Sequence, residues 1–208
     1  DLTIIGGGGT RTLSDGTIED LSRYNAVQYS EDPSNSAWNK TDVAVAHYDG
    51  KTTITSTAGS TPHYLTQPVS PQMTFSAEFS PDSTWRVFYF GYGIGGNVNK
   101  SSRIDLDTMS VTNNWGSPLT IQSEILPDGW LKVEMYSSST SGLHDNFTIA
   151  YTTGDSTATG DTIIFRKPMA ILGNHIGKEY QVNMGSAFSK IDFTGSNPGY
   201  LFEPTSTN

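Results

Sequence analysis

The residues of this sequence that could do chemistry are its histidines, its closely spaced acids and its aromatic side chains. The four histidines are His47, His63, His144 and His175, and no two of them have the spacing of a metal-binding pair. Serine, histidine and acidic residues are all present, but no G-x-S-x-G motif places a serine on a strained turn. Cysteine is absent, which excludes thiolate metal sites and cysteine nucleophiles. We therefore predict no catalytic residue and no metal-ligating residue.

Two closely spaced acids, and tyrosines near an arginine or a histidine, keep a carbohydrate-active enzyme open as an alternative. Asp105 and Asp107 in IDLDT would share one strand face, where two carboxyl groups can approach the separation of about 5 Å used by retaining glycosidases. Solvated acids at a strand end, or a calcium-binding oxygen cluster, are the more ordinary interpretations of this pair. A polysaccharide lyase would need a Tyr/His pair with a neutralising Arg or Gln, and His63-Tyr64 or Tyr89 with Arg86 could supply it. His63-Tyr64 is the weaker choice because adjacent residues on a strand face opposite sides. A lyase or glycoside hydrolase thus stays an alternative, and a structural calcium ion is the one cofactor considered.

Flat aromatic rings beside planar polar groups favour carbohydrate binding, because rings stack on the C–H face of a sugar and polar groups bond its hydroxyls. The candidate glycan-binding residues are Trp85, Arg86, Tyr89, Tyr92, Trp115, Glu134 and Tyr136. Trp115, in the turn TNNWGSP, is the sharpest candidate because no neighbour in the sequence would bury its indole ring. Trp38 and Trp130 are interpreted as packing residues.

The elements that must position these residues are short strands. From Ala26 onward the chain is a succession of runs rich in Val, Ile, Thr, Tyr and Phe, each closed by Gly, Pro, Asn, Asp or Ser. The predicted strands are AVQYS, VAVAHYD, TTITST, HYLTQPVS, MTFSAEFS, WRVFYFGYG, RIDLDTMSV, TIQSEIL, WLKVEMYSS, FTIAYTT, DTIIFRKPMAIL and EYQVNM. Twelve short strands without helical periodicity predict an all-β fold, a two-sheet antiparallel β-sandwich.

Alternation within the strands predicts which side chains face the core. In MTFSAEFS, the set from Met73 to Phe79 is apolar and the intervening set from Thr74 to Ser80 is polar, so we expect one core face and one wet face. In WLKVEMYSS, the apolar set from Leu131 to Met135 opposes a mixed aromatic and charged face. The strand WRVFYFGYG carries large aromatic residues on both faces. Tight turns are predicted at Asp49-Gly50 and Asp128-Gly129, and prolines such as Pro168 near strand ends or on edge strands.

The 208 residues are long enough for one sandwich with a core that needs no disulfide. The first 24 residues differ from the rest: Gly6 to Gly9 are four consecutive glycines, which favour a joint, and TIEDLSRY has the spacing of a capped helical turn. We therefore predict a flexible N-terminal arm or attachment segment over residues 1–24 and a single β-sandwich domain over residues 25–208.

The charge balance bears on partners. Lys and Arg number 12 against 21 Asp and Glu, giving a formal net charge of −9. Such an excess of acids disfavours nucleic-acid backbones and anionic membrane surfaces as partners. The sequence also contains no apolar run of about 18 residues, as a membrane-spanning helix requires. A neutral partner such as a glycan, or another protein, is the expectation.

Several stretches together resemble a known family. They are YSEDPSNSAWNK, TPHYLTQPVSPQMTFSAEFSPDSTWRVFYFGYG, RIDLDTMSVTNN, ILPDGWLKVEMYSSST and DTIIFRKPMAILGN. In this order they resemble a jelly-roll β-sandwich module, similar to carbohydrate-binding modules, that recurs in bacteriophage tail-fibre, tailspike and other virion-surface proteins. Pro33 stands where that family usually has an aromatic residue and Met109 where glycine is common, and the segment EYQVNMGSAFSKIDFTGSNPGYLFEP has no counterpart.

The resemblance implies that the sandwich is a jelly roll, similar to concanavalin and to carbohydrate-binding modules. It also implies a virion-surface or extracellular module for adhesion or assembly, without catalysis. The leading hypothesis is a non-catalytic module of a tail fibre, tailspike or head decoration that binds glycan. The alternative is a purely structural capsid or fibre protein that uses its aromatic face as a subunit interface with other virion proteins or in a homotrimer. The enzyme alternative is the jelly-roll lyase or hydrolase introduced above.

Overall fold

Two six-stranded antiparallel sheets account for most of the predicted strands. The computed structural model describes residues 4–5, 8–12, 18–20, 25–57, 63–69, 72–92, 100–115, 120–137, 146–151, 158–177 and 180. Over these ranges the chain forms strands and turns without a helix, and hence without a helix that could cross a membrane.

The strands, numbered along the chain, have the following bounds. They are β1 (Ile4–Ile5), β2 (Gly8–Thr12), β3 (Ile18–Asp20), β4 (Asn39–Thr41), β5 (Val43–Tyr48), β6 (Lys51–Ser56), β7 (Tyr64–Pro68), β8 (Met73–Phe79), β9 (Val87–Tyr92), β10 (Lys100–Asp105), β11 (Ser110–Trp115), β12 (Thr120–Ile125), β13 (Leu131–Tyr136), β14 (Asn146–Tyr151) and β15 (Thr162–Leu172). The front sheet has the order β11-β10-β9-β14-β7-β4, and the back sheet has the order β12-β13-β8-β15-β6-β5. The predicted all-β, two-sheet antiparallel sandwich is confirmed.

The N-terminal residues form a small sheet of their own in the order β1-β2-β3. Gly8 and Gly9 pair with Ile5 and Ile4 in an antiparallel register, so two of the four glycines lie inside a strand. The helical turn predicted in TIEDLSRY is wrong, because Ile18–Asp20 is a strand paired with β2. The division at residue 24 stays a prediction.

Aromatic rings from both sheets interlock in the core. Phe79 of β8 makes edge-to-face contacts with Phe88 and Phe90 of β9 at centroid distances of 5.0 and 5.5 Å. Phe75 of β8 makes the same kind of contact with Phe147 of β14 at 5.0 Å. Each such ring contributes about 1.5–3 kcal/mol by leaving water, so these contacts fix how the two sheets pack.

Strand β8 is buried on both faces, and the predicted wet face is wrong. Met73, Phe75, Ala77 and Phe79 lie in the core as predicted, but Thr74, Ser76 and Glu78 are buried as well. The chain that follows β15 returns over this outer face: the Thr74 hydroxyl donates to the carbonyl of Gly173 at 2.6 Å and accepts from the amide of His175 at 2.7 Å. Long side chains on β15 also extend over Glu78. Alternation along β8 could not reveal this cover, because it comes from about 100 residues further along the chain.

Proline 168 lies inside a central strand, contrary to the predicted edge position. The pairing of β15 with β8 shifts register between Arg166 and Met169, and Lys167 has φ of 53°. Such a bulge lets a proline without an amide hydrogen stay within a sheet.

Both predicted Asp-Gly turns close hairpins. Asp49 and Gly50, with φ of 51° and 68°, close β5 onto β6 as predicted. Asp128-Gly129 likewise closes β12 onto β13.

Two of the predicted strands differ in the structure. AVQYS forms turns, and RIDLDTMSV forms two strands joined by a turn at Met109, whose φ is 50°. Of the predicted strand EYQVNM, only Tyr180 lies within the described residues.

Candidate functional site

Two of the candidate glycan-binding residues belong to the core. Trp85 turns inward, is 3% exposed, and donates its indole N–H to the carbonyl of Val87 at 3.0 Å. Tyr92 is fully buried, its hydroxyl donates to the carbonyl of Met73, and burial raises the pKa of this hydroxyl far above its usual range. A ring that water cannot reach cannot stack on a sugar, so the prediction that Trp85 and Tyr92 contact glycan is corrected to a packing role.

Arg86 connects the turn before β9 to the turn after β10 through hydrogen bonds of its guanidinium group. Its guanidinium donates to the carbonyls of Pro81 at 2.6 Å and Ser83 at 2.8 Å, and also to that of Leu106. It pairs with Asp107 at 2.8 Å. With its donors engaged by the protein, Arg86 acts as a brace at the end of β9.

Two further candidates lie on the front sheet. Tyr89 faces away from the core and packs against Tyr64, with 7% of its surface exposed. Trp115 is the last residue of β11, where its backbone pairs with Ser101; the side chain of Trp115 lies outside what the structure describes.

The remaining candidates, Glu134 and Tyr136, come together on the outer face of the back sheet. Register places Gln122 opposite Glu134, and Thr120 opposite Tyr136, on the edge strand β12. On the other side of β13, Glu78 lies opposite Lys132 and Ser76 opposite Glu134. Arg166 of β15 lies opposite Glu78 on the far side of β8. We call the outward side chains of these four strands the polar face: Thr120, Gln122, Glu124, Lys132, Glu134, Tyr136, Thr74, Ser76, Glu78 and Arg166.

Glu134 is a buried acid at the centre of the polar face, so its predicted contact with glycan is corrected to a positioning role. It is 1% exposed, and both of its carboxylate oxygens lie 3.1 Å from the amide nitrogen of Gly177. The ammonium group of Lys132 lies 3.4 Å from Glu134 and 3.5 Å from Glu124. The lysine is therefore held between two acids at the solvent boundary.

A second charged cluster lies on the polar face beside Glu134. Glu78 accepts from Arg166 at 2.5 Å and from Lys167 at 3.0 Å, and Arg166 also bonds Asp128 at 2.7 Å. Burial alone would lower the pKa of Arg166, but its hydrogen bonds to Glu78 and Asp128 raise it. The hydrogen bond from Arg166 lowers the pKa of Asp128, so the guanidinium and this acid stay charged together.

Trp130 packs within this cluster, as predicted for a packing residue. The Arg166 guanidinium carbon lies 4.2 Å from the centroid of its ring and the Lys51 ammonium 5.9 Å from it. The cation–π contacts add to the packing. The guanidinium is thus fixed between an aromatic ring and two acids.

The polar face is open toward β12. Thr120, Gln122 and Glu124 are exposed, and Lys132 and Tyr136 are half-buried. The open part thus combines an aromatic ring with an amide, an ammonium group and a carboxylate, which can stack on and hydrogen-bond a ligand.

Asp105 and Asp107, the two closely spaced acids, each form an ion pair with an arginine. Asp105 pairs with Arg103 at 3.0 Å and accepts from the amides of Asp107 and Thr108 at 3.1 Å each. Burial alone would raise the pKa of Asp105, but the hydrogen bonds from Thr108 and Arg103 lower it. No group of three or more His, Asp or Glu residues that could hold a metal occurs in the described ranges.

The sequence signal for the polar face was present but incomplete. The mixed face of WLKVEMYSS predicted Lys132, Glu134 and Tyr136 as neighbours. Gln122 and Glu124 were missed, although the turn at Asp128-Gly129 fixes which residues of TIQSEIL lie opposite them. Arg166 and Gly177 were missed because only the tertiary fold brings them to this face.

No protein-family model matches the chain, and no curated protein matches it significantly. The resemblance to virion-surface modules therefore rests on the sequence motifs alone.

Proposed function

We propose that this chain is a non-catalytic glycan-binding module and that it binds sugar at the open part of the polar face. The observation that carries the proposal is the grouping of Tyr136 with Lys132 and Gln122 on two paired strands, at half-buried and exposed positions. In this arrangement the Tyr136 ring stacks on the C–H face of a pyranose, and the amide and ammonium groups bond its hydroxyls.

Preorganisation supports this assignment over a nonspecific polar surface. Lys132 is held by Glu124 and Glu134, and Glu134 is itself held by a backbone amide. Groups fixed before binding lose little conformational entropy when a ligand arrives. An unstructured set of surface side chains would lack that advantage.

The arrangement of charges favours binding over catalysis. Glu78 and Glu134, the two buried acids of the polar face, each contact at least one cationic side chain. The catalytic carboxyl groups of a glycosidase must reach the scissile bond of the sugar, whereas these two are buried and bonded within the protein. This burial weakens the hydrolase alternative.

The setting we propose is the surface of a virion, in a tail fibre, tailspike or head decoration, with a jelly-roll sandwich as the finer fold. Both follow from the resemblance of the five sequence stretches. The acidic net charge of −9 fits an exposed module that stays soluble.

A glycan array probed with the full chain and with Tyr136→Ala tests the proposal. We expect the native chain to bind a restricted set of glycans and the variant to lose that set. Incubation of each bound glycan with the native chain should release neither reducing ends nor unsaturated products. Absence of binding to every glycan would contradict glycan recognition, and release of products would contradict the non-catalytic assignment.

A further inference from the structure

Strand β5 ends the back sheet with an open edge. It pairs with β6 over six residues, from Val43 opposite Ser56 to Tyr48 opposite Lys51, in an unbroken register. In the described part of the chain no strand pairs with its other side. An open edge of this kind presents free backbone donors and acceptors to another strand.

The other three edges of the front and back sheets carry the usual protection against pairing, and β5 does not. Strand β4 is only three residues long and contains Lys40. Strand β11 is offset by a register shift in its pairing with β10, and β12 carries the exposed acid Glu124. Strand β5 reads VAVAHY, without Lys, Arg, Asp, Glu or Pro and without a bulge.

The hydrogen bonds around β5 tell which backbone groups point away from the sheet. The carbonyl of Asp42 accepts from the amide of Thr57 at 3.0 Å, so Asp42 faces β6. The amide and carbonyl of Ser56 bond Asp161 and Gly160 at 2.9 Å each, so the Val43–Ser56 pair is not hydrogen-bonded. Antiparallel pairs alternate between the two kinds. The backbone groups of Val43, Val45 and His47 therefore point outward.

We propose that β5 pairs antiparallel with β5 of a second copy of this chain, across a two-fold axis that passes beside Val45. Val45 then faces Val45 of the second copy, and Val43 faces His47 of the second copy. These are the residues whose backbone groups point outward, so the Val45–Val45 pair and the two Val43–His47 pairs exchange hydrogen bonds. The two back sheets become one continuous sheet.

The side chains suit this occupant. On the outer face, exposed Ala44 lies opposite Ala46 of the second copy, so small residues meet. Asp42 lies opposite Tyr48 of the second copy, and no like charges are opposed across the pair. An identical uncharged strand matches this edge in length, face and register.

Introducing charges at the paired alanines, Ala44 and Ala46, tests the proposal. Sedimentation velocity of the full chain should show a concentration-dependent species of twice the 22.5 kDa chain mass. The variant Ala44→Lys/Ala46→Lys opposes lysines across the pair and should raise the dissociation constant about tenfold or more. The variant Ala44→Glu/Ala46→Glu should behave alike, and mixing the two variants should restore a dimer. As a matched control, Thr120→Lys/Gln122→Lys on β12 should leave the dimer unchanged.

Several outcomes would overturn the proposal. They are a native chain that stays monomeric at every concentration, a trimer, or a dimer that persists in the lysine variant. Where the variants fail to fold by circular dichroism, hydrogen exchange of the native chain decides. Protection of the Val43, Val45 and His47 amides should rise with protein concentration, and protection that does not change with concentration would exclude the pairing.

Discussion

The ammonium group of Lys132 lies 3.4 Å from a carboxylate oxygen of Glu134, two residues along the same strand. Glu134 has almost no exposed surface, whereas 21% of the lysine side chain is exposed. A buried acid, itself anchored by the amide of Gly177, thus determines where a surface cation stands. We regard this relationship as the basis of the preorganised polar face.

Removing the charge of Glu134 should weaken glycan binding, although Glu134 itself does not contact the ligand. Glu134→Gln keeps the shape and a hydrogen bond to Gly177 but loses the attraction for Lys132, so we expect the affinity to fall about tenfold. Titration calorimetry measures it. Glu124→Gln, at the exposed acid beside the same lysine, is the control and should change affinity less. Equal effects of the two variants would argue against an orienting role for Glu134.

The Glu78–Arg166 pair should be strongly coupled. Glu78→Gln leaves Arg166 mostly buried with one acid fewer, and we expect the free energy of unfolding to fall by about 3 kcal/mol. Arg166→Met should cost a similar amount, and the double variant should cost less than the sum. Urea unfolding of the four proteins gives the coupling energy. Additive losses would mean that the two charges do not depend on each other.

Asp105 should make stability sensitive to acid. Its pKa is lowered in the folded chain, against about 3.9 for an unfolded Asp. Its stabilising effect is therefore complete above about pH 4 and is lost as the pH falls through the folded pKa. The difference in unfolding free energy between the native chain and Asp105→Asn should shrink between pH 6 and pH 2. A difference that stays constant would show that this carboxylate does not titrate with folding.

Arg86 should matter for stability and not for binding. Arg86→Lys cannot reach the carbonyls of Pro81, Ser83 and Leu106 together, so we expect a loss of about 1–3 kcal/mol in unfolding free energy. The affinity for glycan should stay within twofold of the native value by calorimetry. A large loss of affinity with unchanged stability would return Arg86 to the binding site.

The sequence pattern correctly predicted features that depend on residues close together in the chain, namely strand faces and hairpin turns. Alternation assigned the faces of Leu131–Tyr136, and the Asp-Gly pairs located two hairpins, because each depends on neighbours in sequence. The errors arose where distant chain intervenes. Thr74 and Glu78 looked exposed until residues 173–177 and β15 covered them.

Trp85 and Pro168 show two other limits. Trp85 precedes its strand, so alternation does not govern its direction, and it turns into the core. Pro168 looked like an edge residue until a bulge at Lys167 accommodated it in a central strand. Backbone irregularities of this kind leave little trace in composition or periodicity.

Titration calorimetry with a soluble oligosaccharide chosen from the array tests the central claim most directly. The native chain, Tyr136→Ala, Tyr136→Phe and Tyr48→Ala are compared, because Tyr48 is 85% exposed on the opposite edge of the same sheet. We predict that Tyr136→Ala lowers affinity about tenfold or more, while Tyr136→Phe and Tyr48→Ala stay near the native value. Undiminished binding by Tyr136→Ala would contradict recognition at the polar face.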